Sequence, residues 1–358
     1  MKRLTIIVLI ALFSMIGCKK TNDQFKVAFV YVGSVNDGGW TASHDEGRLE
    51  IEKMFPDVQT SYVENVPEGA EAERIITTFA KKGFNVIFTA SFGFMDPTIN
   101  VAKKFPETVF MHCSGYKRAE NVGTYFGRMY QAKYLAGIVA GKMTVTNKIG
   151  YIAPHPIPEV IRHINAFTLG ARKVNPEASV RVIWTNSWFD IQKEKEAAYS
   201  LIEVGTDILA SGCDSSAALV VAEEKGVKCI GYDSDARAVA KNTFLTAPMW
   251  NWISVYADIV GKAKNKEISD YTNVDYWNGL ETNVIKLAPL SDLVPQDVKN
   301  IVTDTTQLII QGEEKIFTGP LKKQDGSDFL SENEVADDGT LLSMMFFVEG
   351  VNGVIPLN

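Results

Sequence analysis

The side chains with most to offer a ligand gather in seven short stretches: SVNDGGW (34–40), SFGF (91–94), CSGY (113–116), NSWFD (186–190), GCDSS (212–216), YDSD (232–235) and PMWNW (248–252). Each mixes aromatic rings with short polar groups. Rings stack on flat ligands, while amides, hydroxyls and carboxylates fix the edges. Four of the six tryptophans (Trp40, Trp188, Trp250 and Trp252) fall here, which points to a shared recognition site.

Bond-making chemistry finds little support in the same residues. There is no G-x-x-x-x-G-K-[ST] loop, no G-x-G-x-x-G after the first apolar run and no G-x-S-x-G elbow. His44, His112, His155 and His163 show no H-E-x-x-H spacing. His44-Asp45-Glu46 reads as a solvated first helical turn. Asp233 and Asp235 lack the further oxygen ligands that a cation needs. Cys113, Cys213 and Cys229 read as small buried hydrophobes. No cofactor or metal is expected. A hydrolase using Asp233 and Asp235 as a carboxylate pair is the enzymatic alternative.

The elements that must position these loops repeat a strand–helix unit. Strands are expected at 26–33, 59–63, 86–90, 109–113, 148–153, 180–185, 207–211, 228–232 and 243–247, with amphipathic helices between them, as in Pro67 to Lys82. Near-continuous apolar strands alternating with helices imply parallel sheets covered on both faces, hence an α/β fold. The first four strands form one group and the next four another. After Asn265 the rhythm gives way to shorter strands and turns. Ligands of open α/β sheets bind beyond the carboxyl ends of the strands, where the seven stretches lie.

The N-terminus reads as an address. Lys2 and Arg3 precede the apolar run Leu4 to Ile16, which ends in Gly17-Cys18. That pattern resembles a bacterial lipobox: 1–17 would be a removed signal, Cys18 the acylated first residue, and 18–25 a tether. The chain would then be exported and held on a cell membrane by lipid alone. With 36 basic and 43 acidic residues, a formal charge of −7 and no long Lys/Arg block, nucleic acid is not an expected partner.

Longer motifs carry a family resemblance. VGSVNDGGWTASHDEGR, YVENVPEGAEAERII, IFTASFGFMDP, GYIAPHPIPEVIRHINAFTLGARKVNP, VIWTNSWFDIQKE and GYDSDA, from about residue 26 to about 265, resemble the basic membrane protein family, which includes purine nucleoside receptors of ABC importers. The resemblance implies a type I periplasmic-binding fold with two doubly wound parallel-sheet lobes and a ligand cleft between them. One lobe would hold 26–123 plus about 246–275, the other 124–245 plus about 276–358. The chain would bind a purine base or nucleoside without turnover and deliver it to permease and ATPase subunits.

By the same resemblance, Trp40 and Trp188 would clamp the purine, and Asp233 would bond ribose hydroxyls. Gly212 would approach through its backbone, and Asn36 and Asp37 would add polar contacts, joined by Phe92 and Asp214. Two positions depart from nucleoside-binding members: Trp250 replaces a lysine, and Ser114 or its neighbours replace an aspartate. Both weaken the ribose contact and favour a free base, whose N6 and N7 Asn251 could pair. A surface receptor or adhesin, or a binder of another aromatic or sugar-like solute, is the alternative.

Overall fold

The computed structural model describes residues 24–356. The signal, Cys18 and most of the tether lie outside the described residues. Among those described, no helix is long and apolar enough to cross a membrane.

The first sheet starts with β1 (Phe25–Tyr31), whose residues Val27 to Tyr31 are all fully buried. It continues through β2 (Val58–Val63), β3 (Val86–Ala90), β4 (Val109–Cys113) and β5 (Val122–Gly127). A later strand, β12 (Asp275–Asn278), completes the order β12-β5-β4-β3-β1-β2, with every pairing parallel. Helices α1 (Trp40–Met54), α2 (Ala70–Lys81), α3 (Met95–Ala102) and α8 (Ile253–Asn265) cover it.

The second sheet holds β6 (Lys148–Ala153), β7 (Ser179–Trp184), β8 (Ile208–Ser211), β9 (Lys228–Ile230) and β10 (Phe244–Thr246). With β16 (Val351–Asn352) it forms the parallel order β10-β9-β8-β6-β7-β16. Its helices are α4 (Tyr130–Met143), α5 (Pro158–Val174), α6 (Ile191–Glu203), α7 (Ala217–Lys225) and α9 (Gln296–Ile310). Two short strands, β11 (Pro248–Trp250) and β13 (Ile285–Leu287), pair antiparallel where the chain passes between lobes. A hairpin, β14 (Leu321–Lys322) with β15 (Asp328–Leu330), and the one-turn α10 (Asp338–Leu342) precede β16.

All nine expected strands are present within a residue or two. β5 was not expected, because its Gly123 and Gly127 break the apolar run. A Cβ at Gly127 would stand 2.6 Å from the Trp250 ring, so the gap in the pattern is a packing requirement. The first crossing therefore follows Gly127, a few residues beyond the expected 123/124 boundary, and β12 keeps residues 275–278 in the first sheet.

The turns expected after Asn265 include a fifteen-residue helix, α9. Its many β-branched residues obscure it, yet Val298, Val302, Thr305 and Ile309 bury one face at helical spacing.

Each lobe has its neighbour order reversed beside its first strand, so the switch points fall between β1 and β3 and between β6 and β8. Ligand crevices form there. The two switch points face each other.

Candidate functional site

The cavity between the lobes is built from the loops at those strand ends. From the first lobe come Val32 and Trp40 after β1, Ser91 and Phe92 after β3, and Ser114 after β4. The second lobe supplies Glu159 after β6, Trp188 after β7, Asp214 after β8 and Tyr232 after β9. Counting the open solvent at its mouth, the cavity spans about 430 Å³, and it adjoins an open chamber of about 1030 Å³, likewise counted with solvent, that shares Phe92, Ser114 and Glu159 with it. The lobes stand closed: the Ser234 hydroxyl donates to the Gly38 carbonyl across the cleft at 2.6 Å.

Of the residues expected from sequence, Trp40, Phe92, Ser114, Trp188 and Asp214 converge here. The Trp40 ring is held by its indole N–H, which donates to the Ala90 carbonyl at 2.9 Å. It meets His44 edge-on at 4.4 Å, and Trp250 and Trp252 edge-on at 5.6 Å each. Trp188 is only half-buried, with His155 as its aromatic neighbour at 5.1 Å. Its loop is tied to the next one by the Asp214 N–H, which donates to the Trp188 carbonyl at 2.9 Å.

The other expected residues have different places. The Asp37 carboxylate accepts from the N–H groups of Gly39, Thr41 and Ala42 at 2.8–3.0 Å, so it caps α1 and thereby sets Trp40. Asn36 is exposed, and its backbone N–H donates to the Ser34 hydroxyl. Gly212 packs against Tyr151. Trp250 lies one layer behind Trp40, stacked on Trp252 at 4.5 Å. The Asn251 amide donates to the Asn283 carbonyl at 2.9 Å and borders a separate groove, so it is not placed to read a ligand edge in this cavity. Asp233 follows Tyr232 but is not in the lining. Both its carboxylate oxygens are buried without a hydrogen-bond partner, and burial pushes its pKa well up.

His44 also departs from expectation. It is fully buried rather than solvated, because α1 begins at Trp40 and turns position 44 inward. Its ring stacks on Trp252 at 4.4 Å and hydrogen-bonds the Tyr256 hydroxyl, and burial holds its pKa well below the usual value. The three cysteines of the described chain are buried and free, as expected.

Two positions in or beside the cavity, Glu159 and Lys133, lay outside the stretches singled out from sequence, whereas Tyr232 lay within one without a role of its own. Glu159 stands in the first turn of α5, just past the loop after β6, so a search of the strand-end loops alone does not reach it. Burial raises its carboxyl to about 7, against the pull of Arg162 and Lys133. Lys133 is 2% exposed on α4; its ammonium donates to the Ser211 carbonyl at 3.2 Å and lies 3.4 Å from the Tyr232 ring centre. Burial lowers its pKa to about 7, partly opposed by Asp233.

Between pH 7 and its ordinary value near 10.5, native Lys133 therefore binds fewer protons than the unfolded chain does. Stability rises with pH across that window, and the penalty is complete below 7. Lys133→Met is expected to raise the melting temperature most below pH 7, with the advantage shrinking towards pH 10. A gain independent of pH would assign the effect to packing.

This architecture has solved counterparts. A solute-binding protein from Conexibacter woesei superposes with a TM-score of 0.68 at 24% identity, covering 81% of this chain and 97% of its own. One from Aeropyrum pernix gives 0.71 at 16% identity, covering 88% and 95%. Sequence relatives lie nearer. A purine-binding protein of Brucella abortus is 44% identical over 98% of this chain and 99% of its own length. A Haloferax volcanii protein whose name carries glucose binding by an ABC transporter is 36% identical over 95% and 83%.

The family model for ABC transporter substrate-binding proteins of the PnrA-like type matches residues 24–319. Such proteins act outside the cytoplasm and deliver a ligand to a permease and ATPase. The loops at both switch points and the family match agree, and this chain belongs to the PnrA-like family of ABC transporter substrate-binding proteins.

Proposed function

We propose that the protein captures a purine base or purine nucleoside and carries it to its importer. The observation that carries this reading is that Trp40 and Trp188, from opposite lobes, line one cavity. Two indoles suit the two faces of a purine, each stack contributing roughly 1–3 kcal/mol. A ligand held by both lobes also stabilises the closed state over the open one, which couples capture to closure. The name of the Brucella relative supports the same ligand class. The adjoining chamber leaves room for a ribose, so base and nucleoside both fit the reading.

Small molecules released by denaturing the purified protein, identified by mass spectrometry, test the proposal. A purine is the expected result, and its mass distinguishes base from nucleoside. A hexose in its place would overturn the purine reading in favour of a sugar, the ligand named for the Haloferax relative. Adenosine, guanosine and inosine are expected to be returned unchanged after long incubation. Turnover abolished by Asp233→Asn would instead show an enzyme.

Acylation of Cys18 is part of the same proposal and rests on the basic start, the apolar run and Gly17-Cys18. Cys18→Ala is expected to abolish incorporation of labelled fatty acid; label retained by that variant would remove the lipid anchor from the proposal.

A further inference from the structure

The cavity is unbalanced in its hydrogen bonding. Its two fixed donors nearest the rings are already committed: the Trp40 indole N–H to Ala90 and the Ser91 hydroxyl to Glu68 at 2.7 Å. Among the described residues the Trp188 indole N–H has no acceptor, and the lining hydroxyls of Ser114 and Tyr232 can donate or accept. Against these stand two carboxyl groups, Glu159 and Asp214, and among the described residues neither side chain has a hydrogen bond or ion pair. Burial raises both, Glu159 to about 7 and Asp214 well above the ordinary carboxylate range, with Asp233 adding to the effect. N–H donors from a ligand are therefore what favour their ionised form, which only accepts, through two oxygens with about four lone-pair sites. Cationic groups do not fill the gap. Lys133 is shielded by the Tyr232 ring, and Arg162, in the adjoining chamber, donates to the Leu341 carbonyl at 2.7 Å.

Both carboxyl groups are held in place by their elements. Glu159 lies in the first turn of α5, directly after Pro158, and Asp214 is fixed through the backbone bond from its N–H to Trp188. They come from strand ends on either side of the second lobe's switch point, so both face the space between the two indoles' loops.

We infer that Glu159 and Asp214 read the edge of the bound heterocycle and select rings that present several N–H donors, such as neutral aminopurines, over acceptor-rich or anionic ones. This rests on the purine reading and narrows it. A ring with an exocyclic amino group and a free ring N–H supplies donors to both carboxylates. An unsubstituted purine supplies one, and a xanthine brings carbonyl oxygens and readily gained negative charge to a site already rich in acceptors. Buried acceptors left without donors are what make such discrimination large.

The test is calorimetric titration of the full chain with adenine, unsubstituted purine and xanthine, for the parent and for Glu159→Gln and Asp214→Asn. The parent is expected to bind adenine at least tenfold more tightly than either of the others. Each variant is expected to lose about ten- to a hundredfold in adenine affinity and much less for purine, flattening the preference. Glu159→Asp and Asp214→Glu, which keep a carboxyl group, should recover part of the loss. If one amide variant does not fold, the parent's ranking and the other variant still decide. Adenine binding unchanged in both amide variants, or a parent that prefers xanthine, overturns the assignment while leaving the purine reading intact. A parent that binds no purine overturns both.

Discussion

Alanine at position 188 is expected to weaken purine binding roughly 5–150-fold, about 1–3 kcal/mol, while the melting temperature stays close to that of the parent. The half-buried Trp188 ring packs at the margin of the second-lobe core with one aromatic neighbour, His155, so removing it opens less space than breaking the ring cluster around Trp40. Alanine at position 40 is expected to cost both affinity and stability. The Trp40 ring closes a cluster with His44, Trp250 and Trp252, and its loss also leaves the Ala90 carbonyl without its donor. Core truncations of that size cost about 3–5 kcal/mol. Phenylalanine at 188 keeps a stacking face and should retain most of the binding. Calorimetry and thermal melts on the same samples separate the two effects. Trp188→Ala that melts far lower yet binds as the parent does would make that ring structural and remove the clamp.

A single methyl group at position 39 is expected to hold the lobes apart. A Cβ there would stand 2.4 Å from the Asp214 carbonyl oxygen and 2.8 Å from its Cα, well inside contact distance. The obstacle is backbone and belongs to the other lobe, so neither lobe can relieve the clash by turning a side chain. Gly39→Ala should therefore fold, with each core intact, and resist closure. If the open state gains 1.4 kcal/mol or more, the apparent affinity falls at least tenfold. Small-angle scattering should show the parent contracting on addition of ligand and the variant remaining extended. A variant that contracts and binds like the parent would show that the lobes close without this contact.

Strands buried on both faces were legible because their apolar runs have no other soluble explanation. KVAFVYV and VIFTA could hardly be anything else. Where packing overrode the local pattern, legibility failed. The glycines of β5 make room for Trp250 and Met111, and α9 carries strand-favouring residues on a helix held by its buried face. In the site, the aromatic residues were found because ring-rich loops at strand ends stand out by composition. Asn251 and Asp37 were assigned to the ligand for the right chemistry, but their polar groups are used by the backbone, and such competition is invisible before the fold is known. Glu159 is the converse: its PIPEVIR context reads as an ordinary helix start, and only the facing lobe makes its carboxyl part of a cavity.

The strand that completes the second sheet has a consequence for how the chain matures. Val351 and Asn352 form the strand that covers the outer side of β7, and Asn165 of α5 bonds Phe346 and Val348 on the same returning segment. A chain delivered amino end first can lay down the core of the first sheet early, while the second lobe waits with β7 as an open edge until residues 351–352 have followed. Unpaired edges of that kind template association between neighbouring molecules. Val351 and Asn352 thus act as a late seal, and deleting this strand should show up first as aggregation during production rather than as weaker capture by the molecules that survive.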